Sequence, residues 1–177
     1  LDFKKGVSIG MFEIGDFVMK ANNGICRIDD IGHPDISTAN KERLYFFLTP
    51  LNETNTKLYV PTDKADNSLR RVITEEEAWR FIEEIPDIDE AWITDEKQRE
   101  QRYKEAIQSC DLEKLMSIIK NMHHRKQKRT AEGKKSTSVD ERFYKVAENN
   151  LFTELAFAIG RKKEDMQEII AEKMDLK

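Results

Sequence analysis

The chain has 177 residues, 38% hydrophobic and 36% charged, with a formal net charge of −4. This length makes one large domain or two small ones with modest cores, two being expected here, and leaves much of each element as solvated face. No apolar run approaches the roughly 20 residues that span a bilayer and no charged-then-apolar leader is present, so a cytoplasmic protein without membrane contact is expected.

The two cysteines, Cys26 and Cys110, stand far apart without metal-ligand spacing, which argues against a disulfide framework or a zinc site. The small net charge hides an uneven layout. Residues 1–96 carry 11 Lys/Arg against 20 Asp/Glu, residues 97–135 carry 12 against 5, and residues 136–177 carry 7 against 9. An acidic front half is thus followed by a concentrated cationic segment, a division that suits two surfaces for two partners.

Residues 1–10 precede Met11, where the first convincing strand begins, and are set aside as an upstream extension or expression remnant. From Phe12 two short apolar stretches flank Asn22-Asn23-Gly24, a triplet that tolerates positive φ and predicts a hairpin. A polar loop, His33 to Asn40, leads to a strand over Arg43–Leu48. A second polar turn, Asn52 to Thr56, leads to Lys57–Pro61, and Leu69–Ile73 supplies a last short strand. Four or five such strands suit a small curled sheet or barrel filled by its aromatic residues.

Thr74-Glu75-Glu76-Glu77 has the pattern of a capping box and opens a helix with Ala78, Phe81, Ile82 and Ile85 at helical spacing. Pro86 ends it, and Pro86 to Glu90 reads as the hinge between halves. Thr94 can cap a helix whose apolar positions are Tyr103, Ala106 and Ile107. Asp111 caps the next, with Leu112, Leu115, Met116, Ile119 and Met122 as its buried stripe and a basic tail from His123 to Arg129. Ser138-Val139-Asp140-Glu141 reads as another capping box, opening a helix that stops at Gly160, and a last amphipathic helix carries Met166, Ile169, Ile170 and Met174. The domains expected are therefore a β domain over 11–73, a helix and linker over 74–90 and a helical domain over 91–177, an α+β architecture.

No phosphate-cradling Gly loop, nucleophile elbow or carboxylate cluster of the hydrolase kind is present, so no enzyme, cofactor or small-molecule substrate is expected. His123 and His124 point to different helix faces and complete no tetrahedral site with Cys110. Lys97, Arg99, Arg102 and Lys104 on one helix and Arg125, Lys126, Lys128 and Arg129 on the next have two readings, an ordinary solvated face or a phosphate-contacting surface with little sequence preference. Trp79 reads as core or interface. Trp92 stands at the junction of the halves, where a Trp commonly packs two small domains together.

The ordered set Ile14-Gly15-Asp16-Phe17-Val18, a loop ending in Gly24, an aromatic strand around Tyr45, Val60-Pro61, Leu69-Arg70 and a helical half opening near Trp92 resembles the CarD/CdnL family of bacterial transcription regulators. Its β half also resembles the RNA-polymerase-interacting domain of the transcription-repair coupling factor. The resemblance implies a Tudor-like β-barrel that pairs by strand addition with the RNA polymerase β subunit, followed by an all-α domain that contacts promoter DNA at the upstream edge of the melted bubble.

Carried onto this chain, the resemblance implies polymerase contact through Lys57, Leu58, Tyr59, Val60 and Pro61, Tyr59 standing where the family often has a basic residue. It makes Trp92 a minor-groove wedge that offsets part of an unstacking cost of a few kcal/mol, with nearby cations on the backbone. The family's Ser-Gly-Asp helix break becomes Ser109-Cys110-Asp111, which drives Cys110 toward positive φ. The alternative is a protein-interaction adaptor with a Tudor-like domain, whose basic helices meet an acidic protein instead of DNA.

Overall fold

The computed structural model describes residues 8–37, 40, 42–53, 55–91, 93 and 95–174, and of Ser8, Ile9 and Glu96 the backbone alone. The chain divides into two compact units, residues 1–72 and 73–177, each with its own apolar cluster.

In the first unit, β1 (Ser8–Ile9) pairs with β2 (Phe12–Glu13) across a turn in which Gly10 has φ 65°. The leader set aside from the sequence therefore takes part in the fold from Ser8 onward, while residues 1–7 lie outside the described residues. β3 (Phe17–Lys20), β4 (Gly24–Gly32), β5 (Tyr45–Pro50), β6 (Leu58–Pro61) and β7 (Leu69–Arg71) form an antiparallel sheet in the order β6-β5-β4-β3-β7. The β3–β4 hairpin turns at Asn22 and Gly24, at φ 67° and 69°, the left-handed values that Asn and Gly adopt most readily.

The ladder between β4 and β5 slips between Ile28 and Asp30, leaving Asp29 as the extra residue of a bulge. Such an insertion bends its strand and raises the local twist, and the sheet curls over Val18, Cys26, Ile28, Phe46, Leu48 and Val60. The small curled sheet or barrel expected takes the form of a half-barrel: the terminal strands, four and three residues long, do not pair with each other. Between them lie a 3-10 turn (Thr62–Lys64) and the short helix α1 (Ala65–Ser68), neither legible in the sequence.

In the second unit, α2 (Glu75–Glu84) opens with the Thr74/Glu77 capping box complete. Its Ala78, Phe81 and Ile82, with Ile85, belong to the helical core. Pro86 sits in a 3-10 turn (Ile85–Asp87), and the stretch expected as hinge and linker is hydrogen-bonded to α4 (Leu112–Ala131). Lys120 Nζ donates to the carbonyls of Ile85 and Ile88 at 2.5 and 2.6 Å, Ser117 Oγ to Asp89 at 2.8 Å and Asn121 Nδ2 to Ala91 at 3.0 Å. These donors replace the helical partners that the carbonyls lose beyond a helix end.

α3 (Glu96–Ser109) is capped by Asp95, whose carboxylate accepts from Lys97 N at 2.9 Å; Thr94, expected as the cap, lies outside the described residues. Cys110 ends α3 at φ 52°, the left-handed conformation expected at this break. α5 (Ser138–Ala158) is capped by Thr137, not Ser138, which shifts Asp140 to the cap-bonded third position. Gly160 at φ 64° separates α5 from α6 (Lys163–Met174). Tyr103, Leu115, Ile119, Leu151, Leu155 and Met166 are fully enclosed at the centre of this unit.

Candidate functional site

Two features stand out, one in each unit. The first is the edge strand β6. Thr62 N donates to Leu44 O at 3.0 Å, which fixes the phase of the ladder with β5. In an antiparallel pair, hydrogen-bonded and non-hydrogen-bonded positions alternate. Val60 and Leu58, opposite Phe46 and Leu48, therefore turn their N–H and C=O toward β5, and Tyr59, opposite Phe47, turns its own away from the sheet. Pro61 offers no donor and blunts that end of the edge. Val60 points into the core, while the Tyr59 ring meets Phe47 edge-on, with centroids 5.1 Å apart.

Beneath this edge, the bulge aims the Asp29 carboxylate along the sheet. Lys57 Nζ reaches its Oδ2 at 2.8 Å and Thr49 Oγ1 at 2.7 Å; the Thr49 hydroxyl itself donates to Oδ2, and Arg27 lies 2.8 Å from Oδ1. Burial by itself would push the Asp29 carboxyl up, but the hydrogen bonds from Lys57, Thr49 and Arg27 outweigh it and hold the group below its ordinary value. Lys57, expected as a cation facing a partner, thus has its charge satisfied within its own sheet.

The second feature is a cationic pole of the helical unit. Asp140, in the first turn of α5, faces Arg99 Nε at 3.2 Å and Arg125 Nε at 3.6 Å. One carboxylate thereby gathers the start of α3, the last turns of α4 and the start of α5. The cost to the sequence reading is Arg99: placed on the exposed stripe, it is only 8% exposed and takes no part in a surface. Arg125 is half-buried on the same acid.

Lys97, Lys126 and Lys128 are exposed and make no salt bridge among the described residues. Arg129 Nε donates to Lys135 O at 2.8 Å, drawing in the loop that carries Lys134 and Lys135, two cations the sequence reading left out. Arg102 and Lys104 lie further along α3 and pair with Glu105 and Glu100 at 3.6 and 3.1 Å. These are exposed, solvent-screened pairs of the kind that contribute little.

Trp92 lies outside the described residues. Its chain neighbours Ala91 and Ile93 line a groove of about 600 Å³ shared with Arg102, Ala106, Lys114 and Ile118. Trp79 is 39% exposed on α2. No group of three or more His, Cys, Asp or Glu able to hold a metal occurs among the described residues, and no helix among them is long and apolar enough to cross a membrane. Cys26 and Cys110 are both buried and neither forms a disulfide.

The family model of the CarD-like/TRCF RID domain matches residues 12–73, the half-barrel, and that of the CarD C-terminal domain matches residues 86–171, most of the helical unit. No curated protein sequence matches the chain. A half-barrel of the RID type followed by such a helical unit defines a transcription regulator of the kind that interacts with RNA polymerase. The chain belongs to the CarD/CdnL family.

Proposed function

We propose that this protein docks on the RNA polymerase β subunit through β6 and, from that tether, steadies the open promoter complex by gripping DNA at the upstream edge of the bubble with the cationic pole of its helical unit. It acts in the cytoplasm, where the bacterial polymerase works. Lys57, Leu58, Tyr59, Val60 and Pro61 form the docking strand, with main-chain groups of Tyr59 supplying the pairing; this kind of recognition places weak demands on side-chain identity.

The observation that supports the DNA half of the reading is that Asp140 joins Arg99 of α3 to Arg125 of α4, the two helices that carry the exposed Lys97 and the exposed Lys126 and Lys128, in a chain whose front half is acidic. Arg102 and Lys104 add phosphate contacts along α3 by exchanging their weak acid partners. Six such contacts, Arg129 included, correspond to a slope of about −5 in log K against log salt. None of these side chains is presented in a pattern for base readout, so binding has little sequence preference. Trp92, a few residues before α3, wedges into the unstacked step.

The test is the lifetime of the open promoter complex with wild type and with Trp92→Ala. The substitution shortens the lifetime and leaves polymerase binding intact. An adaptor that meets an acidic protein instead of DNA gives no gain in lifetime and no dependence on the Trp.

A further inference from the structure

The edge strand does not hold its place by its own ladder alone. β6 is four residues long, pairs on one side only and ends in a proline. What binds its leading end to the rest of the sheet is Lys57, whose ammonium crosses β5 to the bulge in β4, bonding Thr49 on the way. The acceptor is half-sunk in the sheet, its side chain only 14% exposed, and three donors converge on it from Arg27, Thr49 and Lys57. A charge-assisted bond to a partly buried carboxylate is stronger than a neutral one and fixes geometry as well. The bulge is what puts the acid there: in a regular strand the extra residue would be absent.

We infer that Asp29 is a positioning residue for polymerase docking: through Lys57 it clamps β6 in the register and plane in which the main-chain groups of Tyr59 accept an added strand. The inference rests on the reading of β6 as the docking edge. It also revises the part played by Lys57, which acts inward on Asp29 and not outward on the partner.

Two measurements on the full chain test it. In the free protein, hydrogen–deuterium exchange at the Leu58 and Val60 amides speeds up at least tenfold in Asp29→Asn and in the milder Lys57→Gln, while the β3–β4 hairpin exchanges as in wild type. Titrated against purified core RNA polymerase, each variant loses about tenfold in affinity, the double variant loses no more than the worse single one, and Lys57→Arg recovers most of the loss. The salt dependence of binding stays that of wild type throughout. Unchanged exchange at Leu58 and Val60 overturns the clamp. Additive losses, or a shallower salt slope in Lys57→Gln, overturn it in favour of a direct Lys57–polymerase contact. If wild type itself fails to bind polymerase, the docking reading falls, and the exchange data still decide whether Asp29 orders the edge.

Discussion

Asp140 illustrates how one acid decides the character of several cations. With 7% of its side chain exposed it faces two guanidinium groups, and Arg99 is buried with it at 10%. A buried pair adds little net stability, but removing one partner leaves an unbalanced charge inside and costs about 3–5 kcal/mol. Asp140→Ala is expected to lose stability in that range in urea denaturation, because the buried carboxylate that faces both arginines would be gone. The sequence carried a signal for this that the exposed-stripe expectation passes over: Arg99 precedes Tyr103 by one helical turn and shares its buried face, as Asp140 shares that of Phe143 and Ala147. The pairing itself was not legible, since the two positions are far apart in sequence and only the helix packing joins them.

The same buried polar layer predicts an alkaline limit. Burial and then the nearby Asp140 charge push the Tyr103 hydroxyl up from 10.0 to about 12, and burial and then Glu148 do the same for Tyr144. An acid whose folded value is raised keeps its proton more tightly when folded, so the stability it contributes is complete below pH 10 and is lost as pH climbs toward 12. Tyrosinate absorbance followed with far-ultraviolet dichroism should show ionisation and unfolding together in that window, and Tyr103→Phe with Tyr144→Phe should weaken the pH dependence.

Among the elements, α4 combines a buried stripe, Leu115, Met116, Ile119 and Met122, with a cationic end. Only the exposed part of that end is available to phosphate. Replacing both Lys126 and Lys128 by Gln should therefore lower the magnitude of the salt slope of DNA binding by about 1.8, at about 0.9 per contact, with the thermal melt unchanged. The basic residues of α4 were visible in the sequence because they are contiguous; which of them face solvent depends on Asp140 and on the Lys135 carbonyl that Arg129 reaches.

α2 and β6 teach the complementary lesson. The Thr74 capping box is a local signal, and it was read from four residues. That the stretch around Pro86 is held against α4 depends on Lys120 and Asn121, thirty or more residues from the carbonyls they reach. Strand β6 was placed within one residue from its apolar pattern, whereas the bulge at Asp29 left no mark in composition or spacing. Exposed edges and caps are written locally; what braces them is tertiary.

For the whole molecule the two compact units part between Val72 and Ile73, and the place of α2 in the helical unit can be tested by cutting the chain. A fragment spanning 73–177 retains α2 and should melt cooperatively. One spanning 91–177 loses Phe81, Ile82 and Ile85 from the core, all at most 6% exposed in the full unit, and each such side chain stabilises by about 1.5–3 kcal/mol when buried. It also strips Lys120 of both carbonyl partners. Set against the roughly 5–15 kcal/mol by which a domain is stable at all, that loss is enough to abolish the transition. Thermal melts followed by circular dichroism separate the outcomes: a cooperative melt of 91–177 matching that of 73–177 would mean that α2 is an appendage, and a broad, non-cooperative signal from the shorter fragment alone would mean that the helical unit begins at Ile73.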